Sequence, residues 1–91
     1  MSLTELRAQI DAIDEQIIKL LAVRFEVAEQ VVREKLAHGL PTFQSEREEE
    51  MLKRFNDMGK THRLSEDFVV KLFTDIMEES KRIQNEKRSK T

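Results

Sequence analysis

Between Met1 and His38 the chain contains neither glycine nor proline, and Gly39-Leu40-Pro41 is the first place where a helix has to stop. The run predicts one helix over residues 3–38. At 1.5 Å per residue it would be roughly 50 Å long. A chain of 91 residues folded into a compact globule has a diameter near 30 Å by the size scaling of domains. Such a helix must protrude, and its apolar stripe continues to Val31, Val32 and Leu36. An exposed stripe of that length marks a partner interface. Length alone is equally consistent with a plain coiled-coil segment.

The rest of the chain reads as helix too. A second helix is expected over 45–58, with Ser45 and Glu48 as a capping box and Gly59 as the residue just past its end. A third is expected over 65–86, opened by Ser65 and followed by a frayed basic tail over 87–91. Ser2 and Thr4 are candidate N-caps for the first. The fold class is all-α, one domain over residues 1–91. Without cysteine, disulfides, thiolate metal sites and a nucleophilic cysteine are excluded. His38 and His62 stand beside breaks and are assigned surface roles, so no metal site is expected. With 16 basic and 18 acidic residues, the chain lacks the basic excess of a nucleic-acid binder. Neither a membrane span nor a signal-peptide core is visible, which makes the cytoplasm the expected location.

Where polar residues interrupt the apolar faces is more informative. Leu6, Ile10, Ile13, Ile17, Leu20, Val27 and Val31 fall within an arc of about 100° on the first helix, the width of a core face. Arg24 and Lys35 lie inside that arc, and Arg7 sits at its edge near Asp14. The second helix is expected to bury Met51, Leu52, Phe55 and Met58, with Glu48 along the same stripe and Gln44 and Arg47 beside it. The third is expected to bury Phe68, Val69, Leu72, Phe73, Ile76 and Met77, and Ser80 and Gln84 continue that line. Each polar residue has a plainer reading. Arg24 and Lys35 can snorkel to water, Glu48 can serve its capping box, Ser80 can bond back to its own helix, and Gln84 can lie near a fraying end. Taken together, three interrupted faces and several cations imply an anionic occupant, because a buried unpaired charge costs several kcal/mol.

Arg7 and Lys35 are roughly 42 Å apart along one helix, too far to grip one small molecule. If the helix pairs antiparallel with a copy of itself about residue 20, Arg7 falls beside the partner's Lys35. A two-fold dimer then has two equivalent cationic pockets, each with one arginine from the other chain.

Leu6-Arg7-x-x-Ile10-Asp11-x-Ile13-Asp14, Leu20-Leu21-Ala22-x-Arg24, Lys35, Pro41, Glu46-Arg47-Glu48 and Ser80-x-x-x-Gln84 together resemble the all-helical class of chorismate mutase, the bacterial monofunctional kind, over about residues 3–85. The resemblance implies an intertwined homodimer of three-helix chains that converts chorismate to prephenate on the route to phenylalanine and tyrosine. It implies that Arg24 and the partner chain's Arg7 bind substrate carboxylates. Lys35 would bind a carboxylate and the ether oxygen of the breaking bond, and Gln84 would donate to the same oxygen. Glu48 would accept from the substrate hydroxyl, Ser80 would contact the ring carboxylate, and Arg47 would support the site. Gln44 departs from the pattern, since close relatives often carry an aspartate there.

This chemistry needs no nucleophile, metal or cofactor. A [3,3] rearrangement requires the dianion to be held in its compact conformer and negative charge to be stabilised on the ether oxygen. The rivals are an isochorismate-pyruvate lyase or a mutase for the 4-amino analogue of chorismate on the same scaffold, and a non-catalytic helical interaction module. A carboxylate at Glu48 suits the 4-hydroxyl of chorismate and disfavours the lyase. No regulatory or prephenate-processing segment is visible, so the product is expected to pass to a separate enzyme.

Overall fold

A computed structural model describes residues 1–41 and 43–89. Three α-helices follow one another: α1 (Leu3–Ala37), α2 (Ser45–Thr61) and α3 (Glu66–Ser89). No strand occurs among the described residues. The fold is all-α.

The two ends of α1 are set by local chemistry. Ser2 accepts a hydrogen bond from the Glu5 amide at 3.1 Å, which satisfies one of the first-turn donors. At the other end Gly39 adopts a φ of 65°, and the Leu40 amide donates to the Lys35 carbonyl at 2.7 Å. This is the left-handed glycine stop that the sequence announces. α1 therefore ends on the turn that carries Lys35.

The second helix departs from expectation at both ends. Its N-cap is Gln44, which makes no side-chain capping bond, and Ser45 is already helical. The capping box does not form, because Glu48 is turned toward α3 and pairs with Lys81. At the far end Gly59 does not terminate α2, which runs on to Thr61. Arg63 takes the left-handed conformation instead (φ 59°), and the Leu64 amide closes the turn on the Gly59 carbonyl at 2.8 Å. Gly59 serves packing: a Cβ there would stand 3.0 Å from Val69 Cγ2. Ser65 opens α3 as expected, accepting from the Phe68 amide at 3.4 Å. That helix continues to Ser89, past the expected stop near 86. Lys87 and Arg88 are helical; of the tail, Lys90 and Thr91 lie outside the described residues.

α3 is the common partner, with α1 and α2 both packed on it and not on each other. The small core consists of Phe55, Val69 and Met77, flanked by Met51, Leu52 and Phe73. The Phe55 and Phe73 rings stack with centroids 3.9 Å apart. α1 contributes Ala28 and Val32, which lie on its C-terminal half.

The expected core face of α1 is not buried within the chain. Leu6, Ile10, Ile13, Ile17, Leu20 and Val27 are all exposed, as are Val31, Met58, Phe68 and Leu72. Every residue from Met1 to Leu20 is exposed. The molecule is a rod of 55 × 26 × 15 Å with a radius of gyration of 16.4 Å, against about 12 Å for a compact chain of this length. The N-terminal half of α1 projects from the bundle, as its length requires.

Candidate active site

Beside the packed half of α1 lies a cavity of about 470 Å³, within the range of small-molecule sites. α1 supplies Arg24 and Lys35 to it, α2 supplies Arg47 and Glu48 with Gln44 at its N-cap, and α3 supplies Ser80 and Gln84. Val27, Val31, Met51 and Met77 complete its apolar wall. Helical periodicity explains the convergence. Arg24, Ala28, Val31 and Lys35 repeat at three- and four-residue steps along α1, and Ser80 and Gln84 lie one turn apart on α3.

The polar side chains meet in specific pairs. Arg24 donates to Ser80 Oγ at 2.9 Å, and Lys35 Nζ donates to Gln84 Oε1 at 2.9 Å. Ser80 and Gln84 are each only 7% exposed. These bonds replace the plainer alternatives: Ser80 accepts from another helix, and Gln84 is buried well before the end of α3. Because Gln84 uses its carbonyl oxygen on Lys35, its remaining hydrogen-bonding capacity is the pair of donors on the amide nitrogen.

Both cations are disfavoured by their surroundings. The Arg24 pKa lies below its ordinary value, first through loss of solvation and then through repulsion by Arg47 and Arg54. The Lys35 pKa is lowered by the same loss of solvation and by Arg88, with Glu48 acting in the opposite direction. An anion entering the cavity would relieve both groups.

Seven of the eight residues singled out in the sequence line this one cavity. Arg7 does not. It is exposed on the projecting half of α1, nearly five turns before Arg24 and farther still from Lys35 on the same helix. Arg54 and Lys81 also line the cavity, and the sequence reading passed over both. Lys81 was legible in principle, since it lies one turn from Gln84 on α3. Arg54 is one turn beyond Glu50 and two beyond Arg47 on α2, which is a weaker signal. Among the described residues no group of three histidine, cysteine, aspartate or glutamate side chains is placed to hold a metal ion.

Residues 6–85 match the family described as chorismate mutase type II. That span includes every residue of the cavity and Arg7. The chain belongs to the type II chorismate mutase family. It is 34% identical over 84 residues to a chorismate mutase of Methanocaldococcus jannaschii, covering 92% of this chain and 85% of that protein. It is 38% identical over 78 residues to the bifunctional chorismate mutase/prephenate dehydratase of Escherichia coli, covering 86% of this chain and 20% of the relative. The T-protein of Haemophilus influenzae is 34% identical over 85 residues, 93% of this chain and 22% of the relative. The chain thus spans about a fifth of the length of the Escherichia coli and Haemophilus influenzae relatives and most of the length of the Methanocaldococcus jannaschii one.

Proposed function

We propose that this chain converts chorismate to prephenate in a pocket completed by a second copy of itself. One observation carries the proposal: two cations of α1, a carboxylate of α2 and two buried hydrogen-bonding groups of α3 line a single cavity. Family membership supports the same reaction. Arg24, with Ser80 as its fixed partner, is suited to hold one carboxylate of the substrate dianion, and Arg47 supports it from α2. Arg7 of the other copy would take the remaining carboxylate. Gln44 stands beside the hydroxyl end as a neutral hydrogen-bonding group.

The rearrangement breaks a carbon–oxygen bond and forms a carbon–carbon bond within one molecule, without proton transfer. The chain must therefore hold the compact conformer and stabilise charge as it grows on the ether oxygen. Lys35 Nζ donates to Gln84 Oε1 at 2.9 Å, which holds the Gln84 amide group beside the ammonium, so Nζ and the amide nitrogen can address one oxygen atom together. Glu48 accepts from the ring hydroxyl. The exposed stripe of α1 supports the dimer, since Leu6, Ile10, Ile13 and Ile17 are left without cover in the single chain. No helix among the described residues is long and apolar enough to cross a membrane, which is consistent with a dissolved small-molecule substrate; we place the enzyme in the cytoplasm.

The test is to incubate the protein separately with chorismate and isochorismate and identify the products. Prephenate from chorismate is expected. Pyruvate and salicylate from isochorismate, without prephenate from chorismate, would replace this reading with the lyase. No turnover of either and no binding of the dianions would favour an interaction module.

A further inference from the structure

The ion pair between Lys81 of α3 and Glu48 of α2, closed at 3.1 Å, stands apart from the others. Its side chains are 28% and 23% exposed, the least exposed of the described ion pairs, and it joins two helices where most of the rest link neighbours on one helix. Both partners line the cavity. Lys81 is held in place on two further sides: its ammonium lies 5.0 Å from the centroid of the Phe43 ring and 3.5 Å from Glu78. Its pKa is raised, chiefly by the hydrogen bond to Glu48, so it is charged throughout the ordinary pH range.

We infer that Lys81 is a positioning and specificity-determining residue that fixes Glu48 for a neutral hydroxyl and rejects a cationic substituent at the same place. The inference rests on the proposed mutase reading. A carboxylate has two oxygens. Lys81 occupies Oε1 of Glu48, which orients the side chain and leaves the other oxygen to accept from the substrate. A bare carboxylate in a partly desolvated pocket would favour an ammonium over a hydroxyl. With the Lys81 charge at hydrogen-bond distance that preference is cancelled, and an ammonium on the ring would meet a like charge. Gln44, one turn before Glu48 and also lining the cavity, is neutral and adds no negative charge to offset it. The pocket thus selects chorismate over its 4-amino analogue.

The experiment measures kcat/KM for chorismate and for 4-amino-4-deoxychorismate with the wild-type chain and with Lys81→Met, Lys81→Arg, Glu48→Gln and the Lys81→Met/Glu48→Gln double variant. In Lys81→Met the preference for chorismate should fall by about tenfold or more, the scale of one nearby charge in a partly screened site. Lys81→Arg should retain most of the preference. Adding Lys81→Met to Glu48→Gln should change chorismate turnover less than twofold beyond Glu48→Gln alone, because a residue acting through Glu48 has nothing further to lose. Equal losses on both substrates, or losses that multiply in the double variant, would show that Lys81 acts on a substrate carboxylate or on packing and would overturn the inference. An activity-independent arm follows hydrogen exchange at Lys81 Nζ by ¹⁵N NMR. Exchange should be slowed in the wild-type chain and released in Glu48→Gln; equal exchange in both overturns the positioning claim even in an active enzyme. If Nζ is protected and the wild-type chain leaves chorismate untouched, the functional reading falls and the positioning of Glu48 by Lys81 is still supported.

Discussion

The two halves of α1 are built from the same kinds of residue and have opposite fates. The C-terminal half buries Ala28 and Val32 and places Arg24 and Lys35 against Ser80 and Gln84 of its own chain. The N-terminal half carries Leu6, Ile10, Ile13 and Ile17 at helical spacing, and each is more than 40% exposed. Nothing in helix propensity distinguishes them; the difference is whether α3 lies alongside. α3 spans 24 residues against the 35 of α1, so one chain lacks the length to cover both halves. Within one chain, then, the same kind of apolar stripe is covered at one end of α1 and bare at the other. On the proposed reading the bare end is covered by a second copy. That copy has apolar surface to offer, since Met58, Phe68 and Leu72 are also left exposed.

Charging the uncovered half should produce the largest effect. Ile13→Asp combined with Ile17→Asp places two carboxylates on the stripe, and if a second copy covers it, as proposed, assembly, fold and activity should be lost together. Sedimentation equilibrium and circular dichroism check this. A folded, active protein carrying both substitutions would show that the stripe needs no cover.

In the covered half the cost should fall on chemistry and spare the fold. Lys35→Ala should lower kcat by at least about 10²-fold, the scale for losing one preorganised donor at developing charge. Its thermal midpoint should change little. The folded-state pKa of Lys35 is lowered, so its charged form is disfavoured in the folded chain at every pH below that value, and removing the charge relieves that cost. The same sign predicts that a bound dianion stabilises the wild-type protein by mass action, about 2.7 kcal/mol at a hundred times its dissociation constant. Calorimetry with prephenate checks it, and Lys35→Ala should lose most of that stabilisation.

Gln84→Glu gives a smaller, pH-dependent effect. Only a protonated carboxyl can donate to the ether oxygen, and the ionised form would repel the growing charge. Activity should be weak at neutral pH and recover as pH falls toward about 5, near the upper edge of ordinary glutamate titration. Gln84→Ala should be slow at both. Parallel pH–kcat profiles for Gln84→Glu and the wild type would remove Gln84 from the ether oxygen.

The smallest effect concerns the packing that sets α2 on α3. Gly59→Ala gains helix propensity, about 1 kcal/mol. Its Cβ, however, meets the stiff, buried Val69 at 3.0 Å. Overpacking of this kind costs about 1–3 kcal/mol. Denaturant unfolding should therefore show a net loss on the order of 1 kcal/mol.

Much of this comparison was legible in the sequence. The absence of a breaker before Gly39 gave the length of α1, and its length against the size of the chain required a projecting rod. Arg24, Lys35, Glu48, Ser80 and Gln84 were legible as interruptions of apolar faces. Helix ends were read less well, because Gly59 looks like a stop and is in fact a point of close approach, a distinction made by Val69 from another helix. The same holds for Ser45 and Glu48: local spacing offers a capping box, and the cross-helix pairing with Lys81 overrides it. Lys81 itself was missed because lysine on an amphipathic helix ordinarily faces water. Which apolar residues are buried within the chain was also out of reach, since periodicity marks a face without saying which surface covers it.

The central claim is that the two halves of α1 serve two different pockets, and mixed dimers test it most directly. Arg7→Ala and Arg24→Ala subunits should each be nearly inactive as pure dimers, since every pocket then lacks one arginine. In the heterodimer both lesions fall in one pocket, and the other keeps its full set. Isolated heterodimer should recover about half the activity of the wild-type dimer, the share of one intact site in two. A heterodimer as inactive as its parents would contradict a pocket shared between chains.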